Sequence, residues 1–201
     1  MKVIGITGGI GSGKSMVSMI LRKTGAPVYD ADSRAKYLMV HDPALRSGIV
    51  ELFGSDSYTS EGELNRSLIS ARAFSDPGIL TQLNALVHPA TGRDFFDWIE
   101  LQKSEGHLLA FKEAAILFES GAYLACDAVI TVYAPSRTRV ERVIVRDKVA
   151  ADAVMARMAR QWPEQQKIQR SDWMIINDGR QALIPQVLKA IAHFSILATD
   201  I

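Results

Sequence analysis

A single cysteine, Cys126, rules out an internal disulfide and leaves no thiolate cluster for zinc. In its Leu-Ala-Cys-Asp-Ala-Val setting it reads as a buried small hydrophobe. Uninterrupted apolar runs of the roughly 18 residues needed to span a bilayer are absent. The opening Met-Lys-Val-Ile-Gly-Ile-Thr has neither the apolar stretch nor the cleavage site of a secretory leader, so a cytoplasmic protein is expected. Charge excess is missing too. Lys and Arg number 23 against 22 Asp and Glu, a formal +1 that supplies no global field for nucleic acid or an anionic membrane. Any basic site is therefore local, and neither nucleic acid, membrane nor an obligate protein partner is expected. There is no internal repeat and no low-complexity tract. With 48% hydrophobic residues, the 201 residues suffice for one substantial core with a small insert, so residues 1–201 are read as a single domain.

The chain opens on a short β-branched run, Val3 to Thr7, apolar on both parities as a strand covered on both faces should be. Glycines end it. From Lys14 the residues Met16, Val17, Ile20 and Leu21 recur with helical spacing, and Gly25 with Pro27 marks the stop. Val28 and Tyr29 then form a second strand running into Asp30, which completes a βαβ unit. Two further helices are announced by Asp42-Pro43 and Asp76-Pro77, and Pro89 to Glu105 is expected as another, stopped at Gly106. Residues 33–105 hold no convincing strand and read as a helical acceptor-binding region. Leu108 to Phe111, Ala128 to Tyr133 and Trp173 to Ile176 return to strand character. The alternation predicts an α/β three-layer fold with about five parallel strands and helices on both faces. Phe95, Phe96 and Trp98 recur as core residues do.

Gly8-Gly9-Ile10-Gly11-Ser12-Gly13-Lys14-Ser15 matches G-x-x-x-x-G-K-[ST] and lies between a predicted strand and a predicted helix, the context this motif requires. Such glycines let successive amides face one concavity, and the following helix N-terminus adds partial positive charge, so the loop cradles a polyphosphate. Gly11, Ser12, Gly13, Lys14, Ser15 and Met16 are the expected ATP-binding residues. Lys14 is expected on the β- and γ-phosphates and the Ser15 hydroxyl on Mg²⁺. Thr7 and Met16 serve as packing or backbone neighbours rather than as chemistry.

Asp30-Ala31-Asp32 follows the second strand, at the carboxyl edge where open α/β sheets bind ligands. Phosphoryl transfer to an alcohol needs a group that orients the hydroxyl and accepts its proton. Asp32 suits that role, with Asp30 facing the other side of the turn as a cap for a helix near Ser33. Capping is the competing reading of Asp32. Between Ser136 and Arg170 nine Lys or Arg stand against four acids, so most of the chain's charge asymmetry lies in this stretch, read as a lid over residues 136–170. Arg139, Arg142 and Arg146 share one helical face, either closing over ATP as an arginine finger in cis or facing solvent.

Several stretches in chain order together resemble the dephospho-CoA kinase family. They are Thr7 to Ser15, Asp30-Ala31-Asp32, Gly62-x-Leu64-x-Arg66, Leu83-Asn84-x-x-x-His88-Pro89, Leu117-Phe118-Glu119 and Asn177-Asp178-Gly179. The resemblance covers nearly the whole chain. It implies ATP-dependent phosphorylation of the ribose 3′-hydroxyl of dephospho-CoA, giving coenzyme A and ADP on a P-loop kinase fold. It also implies Asp32, Lys14 and Arg142 as catalytic residues, with Asp32, Leu64, Arg66, His88 and Glu119 on the acceptor side. Asn177 and Gly179 correspond to the loop against which adenine packs. Read physically, His88 could equally cap a helix C-terminus and Glu119 could be a solvated helix residue. Arg66, a cation in the first turn of a helix, is mildly disfavoured by the dipole and so reads as a ligand. The chain departs from the family pattern at Ala115-Ile116, where Pro-Leu is usual, and at Ser171-Asp172-Trp173, where Ala-Asp-Tyr is usual. An Asn-Lys-x-Asp guanine motif is absent, and Leu108 to Glu113, interrupted by Lys112, makes a poor Walker B run. A GTPase and a helicase-like motor are thereby disfavoured. A nucleoside or nucleotide kinase is the neighbouring alternative.

Overall fold

The computed structural model describes residues 1–199, which fall into two compact units: residues 1–30 with the chain from Leu101 onward, and Ala31–Glu100. No helix among the described residues is long and apolar enough to cross a membrane.

The first unit is built on five parallel strands, β1 (Lys2–Thr7), β2 (Val28–Asp30), β3 (Leu109–Glu113), β4 (Ala128–Tyr133) and β5 (Trp173–Ile176), in the order β2-β3-β1-β4-β5. From β1 the chain moves towards one edge, while from its neighbour β4 it moves towards the other. The carboxyl ends of β1 and β4 thus flank a switch point, where open α/β sheets form their ligand crevice. One face carries Ile4, Ile6, Phe111, Ile130, Val132 and Ile175, packed with Val17 and Leu21 of α1 (Lys14–Lys23) and with Val187, Ala190 and Phe194 of α9 (Leu183–Thr199). Burying side chains of this size contributes roughly 1.5–3 kcal/mol each. On the opposite face, α8 (Glu164–Gln169) packs against β4, and Leu117 lies beside Gly5 and Val129. Helices therefore cover both faces, as the strands' two-sided apolar pattern demands. Completing this unit are α6 (Ser136–Asp147) and α7 (Ala151–Met158). The Cys126 thiol, pushed up to about 11 by burial, stays protonated at neutral pH.

In the second unit α2 (Ala31–His41), α3 (Pro43–Phe53), α4 (Arg66–Ser75) and most of α5 (Pro77–Ser104) gather around Leu38, Leu45, Ile49, Phe53, Ile69 and Ala90. Asp42 caps α3 through the amides of Ala44 and Leu45 at 2.9 and 3.0 Å, with Pro43 in the first turn, and Asn65 caps α4 through Leu68. Arg46 lies 4.1 Å over the Tyr58 ring and donates to the Gly62 carbonyl at 2.8 Å, bracing the turn before α4.

Three expectations are corrected. The stretch around Pro89 is not a boundary between two helices, because α5 runs 28 residues straight through it. Pro removes one helical hydrogen bond, a local cost of about 3 kcal/mol. Leu83, Leu86 and Val87 before it and Ala90 after it pack on one core, and that shared burial outweighs the loss. Second, α2 begins at Ala31 rather than near Ser33, which puts Asp32 in its first turn. Third, Phe96 is 60% exposed while its neighbour Phe95 is buried, since adjacent helical positions cannot share one face. Smaller differences are a β3 shifted to Leu109–Glu113 and His88 lying inside α5 rather than at a helix end.

Candidate active site at the glycine loop

The loop Gly8–Ser15 joins β1 to α1 at the switch point. Gly8, Gly11 and Gly13 take φ values of 145°, 79° and 93°, left-handed conformations that side chains disfavour. No side chain caps α1 at Gly13. The helix therefore opens on an uncapped positive end, suited to an anion. Lys14 is buried, and its ammonium donates to the Gly8 carbonyl at 2.9 Å, curling back over the loop it belongs to. The hydroxyls of Thr7 and Ser12 are buried without a hydrogen-bond partner, whereas Ser15 is exposed in the first turn of α1. Buried polar atoms of this kind are costly unless a ligand completes them.

From across the sheet, the Asn177 amide donates to the Ser12 carbonyl at 2.8 Å and occupies the space that a side chain on Gly13 would need. Arg142 reaches the Gly11 carbonyl at 3.5 Å and the Asn177 side chain at 3.4 Å, contacts long enough to be exchanged for stronger ones. The structure thus brings Gly11, Ser12, Gly13, Lys14, Arg142 and Asn177 together. Gly179 turns the chain two residues on at φ 83°, and Asp178 accepts the amides of Arg180 and Gln181. Met16 is half-exposed on the first turns of α1.

At least five of the nine basic residues of 136–170 meet carboxylates. Arg137 meets Glu141, Arg139 meets Glu164, Arg146 and Arg157 both meet Asp147, and Lys167 meets Glu119. Of the three arginines sharing a helical face, Arg142 reaches the Gly11 carbonyl and the Asn177 side chain and has no carboxylate partner among the described residues; Arg139 is buried against Glu164 with its guanidinium beside Gly9, and Arg146 is exposed and paired with Asp147. Glu119 sits in the first unit, where its Oε1 accepts from Lys167 and from the Trp162 amide, both at 2.8 Å, while its buried Oε2 has no hydrogen-bond partner. The other expected acceptor residues lie in the second unit. Asp32 is in the first turn of α2, Leu64 pairs with Tyr58 in an isolated bridge, Arg66 is exposed at the start of α4, and His88 lies on α5 with its basicity lowered by partial burial.

A residue that sequence reading discounted is Glu113. It ends β3, in register with Ile6 of β1 and Asp30 of β2, and it is buried. Burial raises its pKa, Asp30 adds to the rise, and the Ser18 hydroxyl, Lys14 and Arg22 pull the other way. Ser18 stands beside it without full hydrogen-bond geometry. The clue was its position at the end of an apolar run, masked by Lys112, whose side chain points to the opposite face. Because the folded pKa lies above the unfolded one, this group stabilises the fold at low pH, and that contribution is lost as pH rises through the folded value. Glu113→Gln is accordingly expected to raise the thermal midpoint at pH 7.5 and to leave it nearly unchanged near about pH 4. An equal drop at both pH values would contradict this.

The dephospho-CoA kinase family model matches residues 2–182. A dephospho-CoA kinase of Porphyromonas gingivalis is 44% identical over 192 residues, covering 95% of this chain and 93% of that protein, and one of Bacteroides fragilis is 39% identical over 189 residues, covering 94% and 91%. Among solved structures, a Thermus thermophilus protein superposes with a TM-score of 0.85 at 34% identity over 96% of this chain and 97% of its own. The dephospho-CoA kinase from Campylobacter jejuni gives 0.71 at 25% identity over 96% of each chain. Glycine loop, parallel sheet and relatives matching over more than nine-tenths of their length agree: this chain belongs to the dephospho-CoA kinase family and is a kinase of the ATP-using P-loop class.

Proposed function

We propose that the chain binds ATP with Mg²⁺ on the glycine loop and transfers the γ-phosphoryl group to the ribose 3′-hydroxyl of dephospho-CoA, giving coenzyme A and ADP. The observation that carries the donor half is the buried Lys14 ammonium folded onto the Gly8 carbonyl, in a loop that opens a helix with no side-chain cap and whose segment leaves the Thr7 and Ser12 hydroxyls without hydrogen-bond partners. Family membership carries the acceptor half.

Lys14 neutralises charge on the β- and γ-phosphates, and Arg142 exchanges its long contacts for the transferring group. Asp32 orients the acceptor hydroxyl and takes its proton as the new P–O bond forms. Leu64, Arg66 and His88 hold the acceptor, together with the free Oε2 of Glu119. Asn177 and Gly179 receive the adenine. Mg²⁺ is a hard cation that binds through few protein ligands together with substrate phosphate oxygens. The exposed Ser15 hydroxyl would hold Mg²⁺ there, and the ion would supply Lewis-acid stabilisation of phosphate charge. Residues 136–170 form the lid, with Gln161 and α8 as its fixed base against the glycine loop and β4, and residues 33–105 form the acceptor region.

The deciding experiment incubates the protein with MgATP and either dephospho-CoA or a panel of nucleosides. ADP and a product heavier by one phosphoryl group are expected with dephospho-CoA alone. Turnover confined to a nucleoside would overturn the acceptor assignment.

A further inference from the structure

Two amides of the glycine loop are held by side chains from much later in the chain. The Gly9 N–H donates to Glu164 Oε1 at 3.1 Å and the Ile10 N–H to Gln161 Oε1 at 2.8 Å. Both acceptors are themselves fixed. The other oxygen of Glu164 pairs with Arg139 at 2.9 Å, the two side chains being only 13% and 10% exposed. Gln161 donates to the Ala115 carbonyl at 3.2 Å, and the fully buried Lys167 donates to that same carbonyl and to Glu119. Arg139 lies so close that a side chain on Gly9 would collide with its guanidinium, and one on Gly11 with its backbone.

The chemistry of the two acceptors is informative. An anion gathered at the α1 end of the loop would be repelled by a lone carboxylate on its other shoulder, with little screening in a buried site. Here the acceptor at Ile10 is a neutral carboxamide, and the carboxylate at Gly9 is matched by a guanidinium. The clamp therefore holds the loop without adding net charge beside it. We propose that Gln161 and Glu164 are positioning residues for phosphoryl transfer, which keep the Gly9–Ile10 shoulder in its phosphate-accepting curvature and act on ATP through the loop without touching it. The proposal rests on the reading that this loop binds ATP.

Calorimetric ATP titration, steady-state kinetics and hydrogen exchange of the peptide containing Gly9 and Ile10 test it. Gln161→Leu, which loses both bonds, should weaken ATP binding about tenfold, raise KM for ATP while leaving KM for the acceptor unchanged, and speed exchange of that peptide. Gln161→Glu keeps an acceptor oxygen but adds an unmatched charge, so its ATP binding should fall further and grow more salt-sensitive. Glu164→Gln preserves the bond to Gly9 and should keep ATP affinity within about threefold, whereas Glu164→Ala should not. Unchanged ATP affinity in folded Gln161→Leu, or a lower thermal midpoint with both KM values intact, would overturn the proposal. Should Gln161→Leu fail to fold, equal ATP affinities in Glu164→Gln and Glu164→Ala would overturn it instead. Wild-type protein that binds no ATP would remove the underlying reading as well.

Discussion

Lys14→Ala is expected to lower turnover by about 10³-fold, the loss typical of removing one fixed donor from developing transition-state charge. ATP binding should weaken with it, because the ammonium is the only charged donor that the glycine loop itself contributes. In the structure that ammonium rests on the Gly8 carbonyl, so its removal also loosens the loop. Lys14→Met separates loss of the ammonium from loss of the buried stem: it keeps most of the stem's packing, and its turnover should still fall by a similar factor while its thermal midpoint falls less than that of Lys14→Ala. Calorimetry and single-turnover kinetics check both variants. Unchanged ATP affinity in Lys14→Ala would deny the residue its phosphate role.

Asp32→Asn should reduce the single-turnover rate by about 10²-fold or more, the range that a positioned proton acceptor supplies, while ATP still binds. Its placement in the first turn of α2 makes the competing explanation concrete, since a carboxylate there can also serve a helix N-terminus. Asparagine distinguishes the two, because losing the charge there costs the helix only about 0.3–1 kcal/mol, whereas asparagine accepts no proton. An Asp32 that serves only the helix would leave the rate near wild type and lower the thermal midpoint slightly in Asp32→Asn. A large loss of rate with an unchanged midpoint is the catalytic signature. A near-normal single-turnover rate would take Asp32 out of the mechanism.

Legibility followed the range of the interactions involved. Lys14 and Ser15 could be read directly, because a strand, a run of glycines and a helix start are adjacent in sequence and each has a local chemical reason. Asp42-Pro43 and Asp76-Pro77 marked helix starts for the same reason, since a cap is satisfied within three residues. Pro89 misled, because its local penalty was visible while the burial of Leu86, Val87 and Ala90 on a shared core was not. Glu113 was passed over because Lys112 beside it looked like an interruption, although alternating positions on a strand face opposite sides. Arg139, Arg142 and Arg146 looked equivalent by spacing. They differ in their partners: one meets Glu164, one the glycine loop and Asn177, and one its neighbour Asp147.

By itself, then, the amino-acid order determined the glycine loop, the alternation of strands and helices and the class of chemistry, since each rests on backbone preference or on side chains a few positions apart. Tertiary structure alone decided which charges are neutralised internally and which face the loop. Coulomb energy and desolvation depend on distances between groups far apart in the chain, and those distances exist only once the sheet has brought its strand ends together.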